Sequence, residues 1–390
     1  MIEKVKKFYD DYHNFVLILV IGFFIYSCNQ SIGTTLPKYA NYLGASASWI
    51  GAISGSYGMS ALLLRPISGQ IVDNYNKKKL LTISFSIIFC SALGLIFANK
   101  VYQLFLLRCL NGIGWGIGST LCMTIACSSV PAEKVNSAIG IYSIAQSTAQ
   151  AVCPAISLFI ANNYGYSKIY ILSLVLVGIV LVLSLVIDLE FPEPEKRKID
   201  YSFKGLVTKE NLLPVSILFC NGLGRASITA FLVIFAESIG LMSVGFYFTI
   251  QSVMILVCKP VLSALSDRVG TNKVLIPCEI LQIVGLLLIA LTKNIFMVLV
   301  AAVCMGVGTS GSQPLLIGLC VKSVSKQNYG KASNSTYLAE DVANFLGSNI
   351  CGIVDELFGH RIMFAICTVP IIVALGLYVK LLKNRIKIFG

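Results

Sequence analysis

Twelve apolar stretches, each about twenty residues or longer, follow one another through this chain with only short polar breaks between them. An apolar run of about 20 residues spans the roughly 30 Å hydrocarbon core of a bilayer as a helix. We therefore expect membrane spans at 15–37, 48–72, 79–98, 102–127, 134–163, 168–188, 212–239, 243–265, 273–292, 296–322, 332–358 and 360–382. Composition agrees. Only 12% of residues are charged and 56% are hydrophobic, with mean hydropathy +0.81, whereas soluble domains keep about a quarter of their residues charged. Water is not the main solvent of such a chain. The first stretch, from Phe15 to Pro37, is too long for the apolar region of a cleavable signal and no small-residue cleavage site follows it, so it is read as the first span.

The net charge of +12 would suit a nucleic-acid binder, but the placement of the charges gives it another origin. With the N-terminus inside, cytoplasmic segments hold 21 lysines and arginines, among them Lys77, Lys78, Lys79, Lys196, Arg197, Lys198, Lys380 and Lys383; the outer loops hold 5, namely Lys38, Lys100, Lys168, Lys293 and Arg361. That is the positive-inside asymmetry, and it calls for no nucleic acid. An even number of spans puts both termini in the cytoplasm. The 13 cysteines sit inside apolar runs and read as small buried hydrophobes rather than a disulfide framework.

One break is long and polar. Residues 190–211, containing Phe191-Pro-Glu-Pro-Glu-Lys-Arg-Lys198, read as a cytoplasmic linker between an N-terminal six-helix bundle at 1–189 and a C-terminal one at 212–390. An internal repeat supports that division, because residues 194 apart match in several spans. Arg65-Pro66 aligns with Lys259-Pro260, Gly69 and Asp73 with Ser263 and Asp267, Gly112-Ile-Gly114 with Gly306-Val-Gly308, Ala138 with Ala332 and Ala149 with Ala343. With an offset of 192, Cys28-Asn29 meets Cys220-Asn221. Parallel six-span halves are an architecture of rocking transporters, with the substrate site near the bilayer midplane.

The loop after the second span reads Gly69-Gln-Ile-Val-Asp73-Asn-Tyr-Asn-Lys77-Lys78-Lys79 and resembles the major facilitator superfamily signature Gly-x-x-x-Asp-Arg-x-Gly-Arg-Arg/Lys at that location. Ser263-Ala-Leu-Ser-Asp267-Arg268-Val-Gly270 is its echo in the second half. The fourth span carries Arg108-Cys-Leu-Asn-Gly112-Ile-Gly114, similar to the Arg-x-x-x-Gly-x-Gly motif of proton-coupled exporters in that superfamily. In the fifth span Ala149-Gln-Ala-Val-Cys153-Pro154 keeps the proline of the antiporter motif and none of its glycines, while Gly330, Gly347, Gly352, Asp355 and Gly359 are similar to the second half of the twelve-span drug:proton antiporter branch. The resemblance covers essentially the whole chain. It implies an all-α membrane protein of twelve transmembrane helices in two pseudo-symmetric six-helix bundles, acting as a monomer. It also implies a conformational latch formed by Gly69, Asp73, Lys77, Lys78, Asp267 and Arg268.

Ionisable groups at membrane depth are costly and mark function. Glu340 and Asp341 lie well inside the eleventh span, and with Arg108 they are the candidates for proton coupling. Arg225, deep in the seventh span, would favour an anionic group of a substrate or pair with Glu340 or Asp341. Asn29, Gln30, Gln146, Asn221, Arg225 and Gln251 are candidate cavity residues able to hydrogen-bond a solute, although interhelical contacts serve each equally well. Tyr26, Tyr57, Trp115, Tyr142 and Phe248 would add an aromatic wall, although aromatics inside a membrane bundle more often serve packing. Glu237 reads as a rim residue, and Glu279 as one that snorkels to the inner interface.

The leading reading is a secondary active, proton-coupled exporter of a small amphipathic or zwitterionic molecule in the cell membrane, partnered by that substrate, protons and lipid. The alternative is a permease or facilitator for a metabolite such as a sugar or amino acid. An enzyme is disfavoured: the sequence has no P-loop, no cofactor motif, and two histidines, His13 and His360, at opposite faces and unable to share a metal.

Overall fold

The computed structural model describes residues 2–131, 135–187, 211–241, 243–323 and 329–389; within these, side chains of 2–12, 65–74, 135–140, 321–322, 329–334 and 381–389 are not described. Thirteen helices account for nearly all of the described backbone: α1 (Ile2–Tyr42), α2 (Ala47–Asn74), α3 (Lys77–Phe97), α4 (Val101–Ser128), α5 (Val135–Tyr164), α6 (Tyr166–Val186), α7 (Leu212–Ser238), α8 (Gly245–Val269), α9 (Thr271–Ala290), α10 (Ile295–Lys322), α11 (Tyr329–Phe358), α12 (His360–Ile366) and α13 (Thr368–Phe389). Among the described residues, ten segments are long and apolar enough to cross a membrane. α2 and α11 have the length, 28 and 30 residues, but not a sufficiently apolar described stretch. In α11 the cause is visible: Glu340, Asp341, Asp355 and Glu356 all lie on it.

The last expected span, 360–382, is not one helix. It breaks at Cys367, three residues before Pro370. Proline has no N–H to give to the carbonyl of Ile366, and its ring crowds that carbonyl, so the hydrogen-bond ladder is interrupted there. α12 and α13 are therefore two pieces of one crossing, continuous in composition from His360 to Lys380.

The helix bounds repeat with the sequence period. α4 begins at Val101 and ends at Ser128; α10 begins at Ile295 and ends at Lys322, each bound displaced by 194. α5 and α11 are related in the same way, from Val135 to Tyr329 and from Tyr164 to Phe358. The turn that follows this second pair needs a residue at positive φ, and glycine supplies it in both halves, Gly165 at 86° and Gly359 at 77°; without a Cβ, that conformation carries no steric penalty. The matched glycines of α4 and α10 have a packing cause. A Cβ at Gly114 would lie 2.7 Å from the carbonyl oxygen of Ser84 on α3, and one at Gly308 would lie 2.7 Å from that of Cys278 on α9.

The chain forms two compact units. The first contains α1 up to Thr35, α2 from Ser60, and α3 to α6; the second contains Leu36–Met59 and the helices from α7 onward. In the first, α3 packs on α4 and α6, and α5 on α4 and α6. In the second, α10 packs on α8 and α9, while α7 packs on α11 and α13. Leu36–Met59 joins the second unit because glycines let α2 approach α11 backbone to backbone. Cβ atoms at Gly55 and Gly58 would stand 2.9 Å and 2.8 Å from the carbonyl oxygens of Phe345 and Asp341. At the same end Lys38 of α1 pairs with Glu237 of α7, and the hydroxyl and backbone N–H of Ser48 both donate to Glu356. The linker read at 190–211 lies outside the described residues except for Asn211, whose amide donates to the Ser335 hydroxyl at 2.9 Å.

Candidate functional site

Each unit has a polar interior of its own. In the first, α4 presents Arg108, only 7% exposed. Its Nη1 donates to Oδ1 of Asn111 at 3.2 Å and reaches Oδ1 of Asn29 on α1 at 3.5 Å. Residues three apart share a helix face, which is how Asn111 comes to serve Arg108. Gly33 lies against the other end of the guanidinium, where a Cβ would be 3.4 Å from Nη2. Nearby on α5, the Gln146 amide donates to the Tyr26 hydroxyl at 2.6 Å. Tyr26 meets Trp115 edge to face, with ring centroids 4.7 Å apart, and Tyr142 at 6.4 Å. Gln30 is half-buried on the same helix as Asn29.

In the second unit four helices are tied into a closed polar belt. Arg225 of α7 faces Glu340 of α11, with Nη2 3.6 Å from Oε1 and side chains 19% and 26% exposed. Gln313 of α10 donates its amide to the same Glu340 oxygen. Beside it on α10, the Ser312 hydroxyl accepts from Gln282 of α9 at 2.8 Å. One turn back on α9, Oε1 of Glu279 accepts from the Asn221 amide of α7 at 2.7 Å. Asn221 and Arg225, four apart, lie one above the other on α7, so the belt returns to its start. Asn221, Glu279, Gln282 and Ser312 are all fully buried. Small residues hold α7 and α11 close enough for the ion pair: a Cβ at Gly347 would be 3.1 Å from the Leu223 carbonyl oxygen.

The belt corrects one expectation. Glu279 does not snorkel to an interface: it lies near the middle of the 20-residue α9, and its side chain points inward to Asn221. The spacing Glu279 and Gln282, three apart, was the available signal, because two polar residues on one face of an otherwise apolar helix have to be met by partners. Gln282, Ser312 and Gln313 were not singled out from the sequence.

The other expected residues are placed as follows. Asp341, next to Glu340 on α11, is 9% exposed and turns to another side of that helix. Asn221 is sealed against α9. Gln251 is half-buried on α8, and its carbonyl oxygen would be 2.8 Å from a Cβ at Gly306. Of the expected latch, Gly69 and Asp73 lie on α2 where side chains are outside the described set. Lys77 and Lys78 open α3, whose first turn is capped by Asn76 accepting from the Lys79 N–H at 3.1 Å. Asp267 and Arg268 are exposed in the last turn of α8. Glu237, read as a rim residue, ends α7 beside Lys38.

The two interiors share a register. At the offset that aligns Asn29 with Asn221, Gly33 aligns with Arg225, so the guanidinium of Arg108 in the first unit sits against the residue whose counterpart is itself an arginine. The carboxylates have no such echo: at offset 194, Glu279 falls on Phe85 and Glu340 on Gln146.

Comparison with known proteins gives a consistent picture. The family model described as Major Facilitator Superfamily matches residues 18–213 and again 214–387. The multi-drug resistance efflux pump PmrA of Streptococcus pneumoniae is 26% identical over 356 residues, covering 86% of this chain and 84% of that one. The staphylopine export protein of Staphylococcus aureus is 20% identical over 374 residues, covering 92% and 94%. Among solved structures, a POT family transporter in complex with a thioalcohol-conjugated peptide superposes with TM-score 0.79 at 14% identity, covering 97% of both chains.

Proposed function

Because this chain belongs to the major facilitator superfamily, a family of multi-pass membrane transporters rather than enzymes, we propose that it is a proton-coupled secondary exporter of a small amphipathic or zwitterionic molecule in the cell membrane. The observation that carries the reading is the Arg225–Glu340 pair. A guanidinium and a carboxylate 3.6 Å apart, one on the apolar α7 and the other on the neighbouring α11, and both still partly open, are a ready exchange site. The ammonium of a solute competes for Glu340, and a solute carboxylate competes for the fork of Arg225. Export is supported by the two relatives, an efflux pump and an export protein.

The excess of lysine and arginine on one side supports an orientation with both termini in the cytoplasm and the α1–α2 turn outside. Contacts of Leu36–Met59 with α7 and α11 then form an outer closure. A solute or proton drives such a machine only by binding its inward and outward states with different affinity. A carboxylate that is free in one state and paired in the other provides that difference, and Glu340, Asp341 and Arg108 are the residues through which we expect the proton to act. Gln30, Gln146 and Gln251 supply hydrogen bonds to the solute, and the Gly69–Lys78 and Asp267–Arg268 turns latch the cytoplasmic side.

The test is flux in proteoliposomes under an imposed pH gradient, with a panel of amphipathic amines and amino-acid-derived zwitterions. The reading expects a solute whose flux is driven by the gradient, and a Glu340→Gln variant that loses driven flux. Flux indifferent to the gradient would make the chain a facilitator.

A further inference from the structure

We propose that Glu279 is a proton-binding site of the transport cycle, neutral while Arg225 is engaged by Glu340 and ionised when Arg225 is released. The inference rests on the exchange at Glu340 described above and adds a second carboxylate to it.

Three observations carry it. Glu279 is fully buried near the middle of a membrane-crossing helix. One of its oxygens accepts from Asn221, while the other, Oε2, is buried with no hydrogen-bond partner among the described residues. An ionised carboxylate with a bare oxygen in that setting is costly, and the group relieves the cost by holding a proton. Finally, Arg225 has the complementary defect. Its Nη2 faces Glu340, but its Nη1 is buried and likewise without a hydrogen-bond partner among the described residues. Arg225 stands one helical turn from the asparagine that holds Glu279, on the same face of α7.

Among the described residues, the surroundings offer Glu279 no other counter-charge. Cys220 of α7 and Cys278 of α9 are the neighbouring titratable groups. On α10 the stretch from Ile295 to Cys320 holds no charged residue. The charged residues of the other helices packed on α9 lie elsewhere. Lys259, Asp267 and Arg268 of α8 are exposed. Arg361 of α12 donates to the carbonyl oxygens of Ala290 and Thr292 at the far end of α9, His360 pairs with Asp355 of α11, and Lys380 lies at the end of the α13 crossing.

The charges balance in each state. With Arg225 on Glu340, one positive charge meets one carboxylate and Glu279 carries its proton. When the ammonium of a solute takes Glu340, Arg225 is left for Glu279. The O–H bond of Glu279 breaks, the proton passes to water, and the carboxylate pairs with Nη1. One proton leaves as one cationic group arrives, so the site keeps its total charge. That exchange selects solutes bearing an ammonium or comparable cation.

The experiment is infrared difference spectroscopy of the purified full-length protein across a pH series, following the carbonyl stretch of protonated carboxylic acids, alongside the flux assay. A band should titrate in the wild type, move to lower pH in Glu340→Gln, where Arg225 is left for Glu279, and be lost in Glu279→Gln, whose amide oxygen still accepts from Asn221 and so keeps the fold. Glu279→Asp should restore the band. In flux, Glu279→Gln should retain counterflow and lose at least tenfold of the pH-driven component. A band that survives Glu279→Gln, or no band in the wild type at any pH, overturns the proposal, as does full driven flux in Glu279→Gln. If the band is lost in Glu279→Gln but the wild type moves no solute in response to the gradient, the transport reading fails while the protonated Glu279 stands.

Discussion

Arg225 stands between an acid it touches and an acid it does not, and that position makes single and double substitutions informative. Arg225→Gln leaves Glu340 without its cation, and Glu340→Gln leaves Arg225 without its anion. Each should lower stability by on the order of 2 kcal/mol, read as an earlier thermal unfolding midpoint in detergent. The double variant should recover most of that loss, because it leaves no charge uncompensated; a double variant as unstable as the sum of the singles would show that the two side chains do not act as a pair. Arg225→Lys keeps the charge but loses the planar fork, and should keep stability near wild type while driven flux falls about tenfold. Arg225 and Glu340 were legible in the sequence because a charge deep in an apolar run stands out by itself. Glu279 stood out equally, yet its direction did not. Whether an acid a few turns into a helix reaches back to water or inward to a neighbour depends on which face packs, and only the position of Asn221 decides that.

At the scale of helices, close approach is set by glycines whose missing Cβ atoms are replaced by a neighbouring backbone. Gly308→Ala would put a methyl 2.7 Å from the Cys278 carbonyl oxygen, forcing α9 and α10 apart. Overpacking of this kind costs about 1–3 kcal/mol. Gly318→Ala, on the same helix with nothing within 4 Å, should be neutral or slightly stabilising, since alanine is the better helix former. The fraction of protein remaining monodisperse after heating separates the two, and equal losses would mean that helix propensity rather than contact governs. Removing the α3 cap with Asn76→Ala should cost about 1 kcal/mol by the same measurement. Element existence was read well from the apolar runs: α4 was expected at 102–127 and is found at Val101–Ser128. The break at Cys367 was missed because the criterion counted apolar side chains, and the interruption by Pro370 belongs to the backbone.

Over the whole molecule, the proposed outer closure rests on Lys38 with Glu237 and on the contact of α2 with α11 within one compact unit. If transport requires those contacts to open, then bridging Lys38→Cys and Glu237→Cys with a reducible thiol-to-thiol crosslinker should arrest flux, and reduction should restore it. Flux unaffected by the crosslink would remove this end from the cycle. The register of Gly33 with Arg225 carries a different consequence, one for genealogy. If the two halves descend from one duplicated gene, a comparison position by position scores an arginine opposite a glycine as a loss, and Arg108 opposite Ala302 as an unrelated gain. In space the two events are one. Each copy retains a cation beside its matched asparagine, delivered in one copy by its first helix and in the other by its fourth. Inheritance here is of a place for charge, and a search for ancestry that follows letters alone would pass over it.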